Sequence, residues 1–277
     1  MSGGDVRPGG GGLARASLSG LSPKAVVERE TARLAGRVVL ITGAESGIGR
    51  ETALRAASEG ADIAAVGLDS SALVTLVEQV RTMGGRASAR PADVSDADNL
   101  TAAIDGLVGE LGSLSVAHAN AGILPPATSI TDLDLDEWNR VLAVDLTGVM
   151  LTFRAAIPHF GPEGGLLLAT GSSLALRPGT GLLAYAAAKA GVHVIARSLA
   201  LELAPRGIRV NVIAPGLTET AMTRGVSGHI ERQLEGVPLG QLVQARDVAA
   251  FAVHLMADEA SSVTGGVFSI DAGRSAV

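Results

Sequence analysis

The segment RVVLITGAESGIGRETALRAASEG, residues 37–60, decides the fold class. It opens with a short aliphatic run that is typical of a buried strand, passes through Gly43, Gly47 and Gly49, and continues into a helical pattern from Ile48. Glycine lets the backbone turn tightly, and the start of a helix presents free N–H groups and the positive end of its dipole. A strand, a glycine turn and a helix in this order predict a cradle for the pyrophosphate of a dinucleotide.

Six further aliphatic runs follow the glycine turn, and helical segments separate them. They cover residues 61–67, 86–94, 114–122, 165–173, 208–216 and 265–273. Strands that alternate with helices form parallel sheets covered on both faces. We therefore predict an α/β fold: a single doubly wound Rossmann-type domain with a seven-stranded parallel sheet, over residues 36–277.

Residues 1–35 form an N-terminal extension. Its first 22 residues are rich in Gly and Ser and cannot bury enough apolar surface to order, whereas Ser22 and Pro23 are typical of the start of a short helix. The extension is either a dispensable tail or an arm that packs on a neighbouring subunit.

Composition excludes several classes of function. The net charge is −6 without a run of basic residues, so nucleic acid is not an expected partner. No cysteine is present, which excludes thiolate catalysis and suits a reducing cytoplasm. No secretory signal and no charge-free span of roughly 18 apolar residues is found, so no membrane is expected. The five histidines lack metal-ligand spacing, and we expect no metal and a cytoplasmic protein.

The segment LLAYAAAKAGVHVIARSLALEL, residues 182–203, holds the only tyrosine of the chain, Tyr185, and one of its two lysines, Lys189. Four positions apart on a helix, the two side chains share a face. A neighbouring ammonium favours the phenolate, which would bring the pKa of the phenol toward neutrality for proton transfer. An arginine would not be equivalent, because its guanidinium is a broad planar fork.

Five motifs now stand in order: TGAESGIG at 42–49, NAG at 120–122, Ser172 thirteen residues before the tyrosine, YxxxK at 185–189, and PGLTET at 215–220. Together they resemble the short-chain dehydrogenase/reductase family over residues 36–273. The resemblance implies an oxidoreductase that transfers a hydride between a nicotinamide cofactor and a secondary alcohol/ketone pair. A cofactor-binding sensor without turnover, and a lyase or epimerase using the same tyrosine, are the alternatives.

The resemblance also implies catalytic roles. Tyr185 exchanges the proton, Lys189 also holds the nicotinamide ribose, and Ser172 holds the substrate oxygen, with Ser173 as the adjacent alternative. Asp145 occupies the fourth catalytic position, where the family usually has asparagine. Four possibilities are open for its carboxylate. It is tolerated at this position, it repels the phenolate, it pairs with Lys189, or it is a buried group that does the structural work of asparagine.

The implied cofactor contacts come from the glycine turn and the ends of the following strands. In the family, an acidic residue at the end of the second strand selects NAD, and this position is Gly67 here. No Arg or Lys lies in 43–49 or 66–72, and Glu45 and Asp69 would repel a 2′-phosphate, so we expect NAD in preference to NADP. Asp93 has the alternative role of a helix N-cap. The full set is Gly43, Glu45, Ser46, Gly47, Ile48, Gly49, Leu68, Asp69, Asp93, Val94, Asn120, Ala121, Gly122, Tyr185, Lys189, Pro215, Gly216, Thr218 and Thr220.

The substrate pocket is expected between residues 123–130, 174–184 and 217–240. Its aliphatic side chains favour a small-molecule, lipophilic alcohol or ketone, with ring compounds included. Arg177 could meet an acid group, although such an arginine is more often solvated. The aliphatic face of the helix after Lys189 and the resemblance favour a homo-oligomer, a tetramer or a dimer. The expected aliphatic wall residues are Leu174, Leu176, Leu182, Leu183 and Met222.

Overall fold

The computed structural model describes residues 32–220, 223 and 234–276. The extension through residue 31, with its expected helix, and Met222 lie outside these residues. The last part of the predicted extension is packed against the domain: Leu34 is fully buried, and its N–H donates to the carbonyl oxygen of Glu59 at 2.8 Å.

Strands and helices alternate through most of the described chain. The strands are β1 Val38–Thr42, β2 Asp62–Gly67, β3 Ala87–Pro91, β4 Val116–Ala119, β5 Gly165–Thr170, β6 Ile208–Pro215, β7 Thr218–Glu219, β8 Val243–Gln244 and β9 Val267–Ile270. The helices are α1 Gly47–Ser58, α2 Ser70–Thr82, α3 Ala97–Leu111, α4 Leu135–Leu142, α5 Gly148–Ala156, α6 Leu183–Leu203 and α7 Ala245–Met256.

Seven of these strands form one parallel sheet in the order β3-β2-β1-β4-β5-β6-β9, while β7 and β8 form a separate pair. The prediction of a seven-stranded, doubly wound parallel sheet is confirmed. The strand order reverses between β1 and β4, and in such sheets ligands bind at the carboxyl ends of the strands beside this reversal. The topology therefore places the glycine turn after β1 at the expected crevice.

Helices cover both faces of the sheet, and aliphatic side chains fill both interfaces. Helices α1, α2 and α7 pack on one face through residues such as Ala53, Leu73 and Val248. Helices α3, α5 and α6 pack on the other face, where Phe153 and Val192 are buried. The central strands are continuous hydrophobic runs because both of their faces are buried.

Aspartates begin three of the helices. Asp69, Asp96 and Asp134 are the N-caps of α2, α3 and α4, and each carboxylate accepts a backbone N–H of the first turn. The acidic segment 132–138 thus starts the helix that leads to Asp145, as its sequence indicates. That helix passes through a π-helical turn, Ala143–Thr147, before α5. Such turns occur often at functional sites, and Asp145 lies within this one.

The continuous helical segment Leu135–His159 has the length and apolarity of a membrane span. Half of its apolar 18-residue stretch is buried inside the domain, and its helices pack against α3 and α6. A core helix of a globular domain has the same properties.

Candidate active site

A cavity of about 1070 Å³ opens at the carboxyl ends of the sheet strands. It collects residues from loops that are far apart in sequence, because parallel strands end at one edge. Two of the residues predicted for the site, Gly49 and Asp69, are not part of its lining. The predicted residues that line it are Gly43, Glu45, Ser46, Gly47, Ile48, Leu68, Asp93, Val94, Asn120, Ala121, Gly122, Asp145, Ser172, Tyr185, Lys189, Pro215, Gly216, Thr218 and Thr220.

The glycine turn has the geometry of an anion cradle. Gly43 and Gly47 have φ of +63° and +49°, a conformation that disfavours other residues. The N-cap Ser46 makes no side-chain hydrogen bond to the first turn of α1, and that turn holds no acidic residue. Gly49 contributes by close packing, since a Cβ there would lie 2.1 Å from the carbonyl oxygen of Gly43.

A buried polar network braces this turn from behind. Asn120 Nδ2 donates to the carbonyl oxygens of Thr42 and Gly43 at 3.1 and 3.3 Å, and its Oδ1 accepts from Thr170 Oγ1 at 3.0 Å. His118 Nε2 lies 2.9 Å from the same Thr170 hydroxyl. Burial lowers the pKa of His118 to about 3, so the imidazole is neutral. Because the Thr170 hydroxyl already donates to Asn120, Nε2 is the donor in its contact with this hydroxyl. The side chain of Asn120 therefore orders the cradle that its backbone helps to line.

The carboxylate of Glu45 occupies the space that a side chain at position 67 would fill. A Cβ on Gly67 would lie 2.0 Å from Glu45 Oε2. Glu45 Oε1 accepts the N–H of Leu68 at 3.0 Å, whereas Oε2 is buried without a partner among the described residues. The glycine turn thus supplies an acidic group at the end of β2, where the sequence lacks one.

The two aspartates predicted near the adenosine half lie in different surroundings. Asp69 Oδ1 accepts the N–H groups of Ser71 and Ala72 at 2.9 and 3.1 Å, and Asp69 is absent from the cavity wall. Hydrogen bonds from Ser71 and Ala72 lower the pKa of this exposed carboxyl. Asp93 lines the cavity and accepts from Ser95 within a turn. The N-cap of α3 is Asp96, so the alternative role of Asp93 as N-cap is not observed.

Ser172, Tyr185 and Lys189 come together in the same cavity. Ser172 follows β5, and its Oγ accepts the N–H of Leu174 at 3.1 Å. The Ser172 side chain lies near the Tyr185 phenol and lowers its pKa slightly, the smallest of the influences on that group. Lys189 Nζ lies 5.6 Å from the centroid of the Tyr185 ring. Ser173 also lines the cavity, but of the two serines only Ser172 influences the pKa of the tyrosine.

Asp145 and Lys189 form a buried ion pair. Asp145 Oδ1 lies 3.0 Å from Lys189 Nζ, and the two side chains are 0% and 3% exposed. Lys189 Nζ also donates to the carbonyl oxygen of Thr170 at 3.0 Å, and Asp145 Oδ2 accepts the N–H of Ile123 at 3.2 Å. Of the four possibilities left open by the sequence, the structure shows two: Asp145 pairs with Lys189, and it is a buried carboxylate that accepts a backbone N–H.

This pair changes the electrostatics expected for the tyrosine. Burial raises the pKa of Tyr185, the Lys189 ammonium lowers it, and the Asp145 carboxylate raises it again; the net direction is upward. The sequence alone had indicated a lowered pKa, because it could not weigh burial or the aspartate. Burial lowers the pKa of Lys189, but Asp145 and Tyr185 together outweigh it, so the pKa is raised and the ammonium stays charged.

The substrate end of the cavity is partly aliphatic. Leu174 and Leu182 line it, whereas Leu176 and Leu183 are exposed and lie outside its wall. Arg274, which the sequence analysis did not identify, also lines this cavity. Its position shortly after the end of β9 was the available signal, since that strand ends at the ligand-binding edge.

Comparison with known proteins identifies the family of the chain. A family model described as enoyl-(acyl carrier protein) reductase matches residues 43–275. The chain is 37% identical over 245 residues to cis-4-hydroxycyclohexanecarboxylate dehydrogenase of Sinomonas cyclohexanicum, a match covering 88% of this chain and 98% of that protein.

Two solved structures are similar in fold. A short-chain dehydrogenase from Burkholderia cenocepacia in complex with NADP has a TM-score of 0.84 and 36% identity, covering 87% of this chain and 99% of that one. Carveol dehydrogenase from Mycobacterium avium in complex with NAD has a TM-score of 0.85 and 30% identity, covering 88% and 99%. The chain belongs to the short-chain dehydrogenase/reductase family, and it is a nicotinamide-dependent oxidoreductase of alcohols and ketones.

Proposed function

We propose that this chain interconverts ring-bearing secondary alcohols and their ketones, with Tyr185 as the general acid/base. The observation that carries the proposal is the meeting of Ser172, Tyr185 and Lys189 in one cavity with the glycine turn. Aliphatic side chains at the substrate end, among them Leu174 and Leu182, favour a lipophilic ring and exclude water from the reacting atoms. The relative from Sinomonas is named for a hydroxylated cyclohexane ring, which supports this class.

The residues divide the work as follows in the oxidation direction. When bound, the nicotinamide ring supplies the hydride acceptor. Ser172 holds the substrate oxygen by a hydrogen bond, and the Tyr185 phenolate accepts the hydroxyl proton as the carbonyl forms. The Lys189 ammonium stabilises that phenolate by its charge. In reduction the same tyrosine returns the proton to the oxygen.

Removal of the tyrosine hydroxyl tests this assignment. Tyr185→Phe is expected to lower kcat/KM for a cyclic alcohol by at least roughly 100-fold, because the acid/base group is lost. The measurement follows absorbance of the reduced cofactor with a panel of cyclic and open-chain alcohols. If no alcohol in the panel gave turnover that depends on Tyr185, the proposal would be contradicted and a cofactor-binding sensor would be favoured.

The neighbouring serines provide a matched comparison. Ser172→Ala is expected to lose at least roughly 100-fold in kcat/KM, since its hydroxyl contacts the tyrosine and the substrate oxygen. Ser173→Ala removes the same atom one residue away and is expected to cost much less. Equal losses would mean that the choice of Ser172 is wrong.

We infer that NAD is the preferred cofactor, on the basis of the buried carboxylate of Glu45. An adenosine ribose at this point is supported by Glu45 Oε2, a buried acceptor beside Gly67 and Leu68 that has no partner among the described residues. Ribose hydroxyls would donate to this oxygen, whereas a 2′-phosphate would be repelled by it. The other proposed cofactor contacts are the residues of the predicted cofactor-binding set, between Gly43 and Thr220, that line the cavity.

The inference about NAD is tested by a substitution that removes the charge of the Glu45 side chain and keeps its shape. Glu45→Gln is expected to lower the ratio of kcat/KM with NAD to kcat/KM with NADP by roughly tenfold, since about 1.4 kcal/mol of repulsion is lost. Asp69→Asn is the control, because this aspartate caps α2 outside the cavity wall. A ratio that follows Asp69 instead of Glu45 would contradict the inference.

We also infer that the protein forms a homo-oligomer through α6. Val194 and Leu201 are 61% and 82% exposed and lie two turns apart on one face of this helix. Exposed aliphatic side chains in one stripe on a long helix are typical of a subunit interface. Family members commonly pair on this helix, which supports a dimer or a tetramer.

A further inference from the structure

Arg274, at the substrate end of the cavity, stands beside a second arginine, Arg177. Arg274 Nη1 donates to the carbonyl oxygen of Arg177 at 3.0 Å, and Arg177 Nη1 donates to the carbonyl oxygen of Arg274 at 3.0 Å. The two hydrogen bonds join the loop after β5 to the chain after β9. They hold the two arginines beside each other, although the residues are 97 positions apart in sequence; Arg274 lines the cavity, whereas Arg177 is exposed behind it.

Neither guanidinium has a carboxylate partner within the described parts of the chain. Both donate to carbonyl oxygens, and no ion pair to a described residue is formed by either. Asp271 lies near Arg274, but its carboxylate already accepts the N–H groups of Gly273 and Ser275. Burial and the charge of Arg177 lower the pKa of Arg274, and Asp271 only partly offsets them.

The guanidinium of Arg274 is open to the cavity. A Cβ on Gly179 would lie 3.7 Å from Arg274 Nη2 and 3.2 Å from Leu174 Cδ2. All three residues line the cavity, and Leu174 is hydrogen-bonded to Ser172 through its N–H. A side chain at position 179 would contact both Arg274 and Leu174, so the glycine leaves the guanidinium free on that side.

A guanidinium has five N–H donors, and the bond to the Arg177 carbonyl uses one of them. The fork that remains matches the two oxygens of a carboxylate. The nearby charge of Arg177 also raises the positive potential at Arg274, which strengthens the attraction of an anion.

We propose that Arg274, supported by Arg177, binds a carboxylate on the substrate, so that the preferred substrates are ring alcohols or ketones bearing an acid group away from the reacting carbon. The proposal rests on the proposed function for the reacting end of the cavity. It adds a second point of attachment, which orients the ring toward Ser172 and Tyr185.

A binding experiment tests the subsite without catalysis. Titration calorimetry of the NAD complex would compare cyclohexanecarboxylate with cyclohexanecarboxamide, which has nearly the same shape and no charge. We expect the acid to bind at least roughly tenfold more tightly than the amide. Equal affinity, or no measurable binding of the acid, would overturn the proposal.

Variants locate the effect. Arg274→Gln is expected to abolish the preference for the acid, and Arg274→Lys to retain part of it, because a lysine keeps the charge but loses the fork. Arg206→Gln is the control; this exposed arginine lies just before β6, at the opposite edge of the sheet. A preference that persists in Arg274→Gln, or that disappears in Arg206→Gln, would contradict the assignment.

Kinetics separate this proposal from the proposed function. With 4-hydroxycyclohexanecarboxylate and its amide as substrates, the ratio of their kcat/KM values should fall by roughly tenfold or more in Arg274→Gln, mainly through KM. Turnover of both substrates with an unchanged ratio would overturn the subsite alone. Absence of Tyr185-dependent turnover, with preferential binding of the acid retained, would overturn the reaction and leave the subsite standing.

Discussion

The buried pair of Asp145 and Lys189 is the residue-scale feature that sets this chain apart from the usual family pattern. A fully buried carboxylate 3.0 Å from the ammonium compensates much of the charge that the lysine presents to Tyr185. Buried pairs are expensive to break, because removal of one partner leaves the other charge without compensation. Asp145 is therefore expected to position Lys189 and to tune the tyrosine without contacting the substrate.

Asp145→Asn tests this tuning. Asparagine keeps an acceptor oxygen for Lys189 but removes the carboxylate charge that helps to raise the pKa of Tyr185. Oxidation requires the phenolate, so its rate rises with pH through that pKa, and the midpoint of the profile should move to lower pH in the variant. The measurement is kcat/KM for alcohol oxidation against pH, with thermal unfolding as a check on the fold. An unmoved midpoint would show that the tyrosine does not sense the carboxylate.

At the scale of elements, the glycine turn between β1 and α1 works through close contact. A Cβ on Gly49 would also lie 2.5 Å from Asn120 Nδ2, so any side chain there displaces the amide that braces the turn. The turn, β4 and β5 are thus coupled through Asn120 and Thr170. These hydrogen bonds connect the glycine turn to the ends of three strands, which fixes the conformation of the turn.

Gly49→Ala is expected to destabilise the protein by roughly 1–3 kcal/mol, the usual cost of overpacking, and to weaken NAD binding by roughly tenfold or more. Gly109→Ala is the matched control, since Gly109 is exposed on α3 and a Cβ there meets nothing within 4 Å. It should stabilise the protein by about 0.5–1 kcal/mol through helix propensity. Urea unfolding and cofactor titration provide both readouts, and equal behaviour of the two variants would contradict the packing argument.

At the scale of the whole molecule, the parallel sheet assembles one cavity from distant loops. The ends of β1, β2, β4, β5 and β6 supply the cofactor side, and the chain after β9 returns Arg274 to the substrate side. The exposed aliphatic side chains Val194 and Leu201 lie on α6, beyond Lys189. The interface proposed for α6 would therefore share its helix with Tyr185 and Lys189.

Leu201→Glu tests association through this stripe. A charge at a position that is 82% exposed in the monomer costs little in folding but a great deal in an apolar interface, so the variant should sediment as a smaller species at micromolar concentration. Val74→Glu, on the exposed face of α2, is the control and should leave the sedimentation coefficient unchanged. A monomeric wild-type protein would contradict the interface itself.

The sequence by itself determined the succession of strands and helices along the chain. The aliphatic runs, the glycine turn at 43–49 and the Tyr185/Lys189 spacing are local patterns, and the periods of strands and helices translate such patterns directly into structure. It also placed the serine at the right strand end. Only the tertiary structure decided how side chains from different strands meet. Glu45 at Gly67, Asp145 on Lys189 and Arg274 beside Arg177 are contacts across 22 to 97 positions, and burial, which sets the pKa of Tyr185, exists only in the packed molecule.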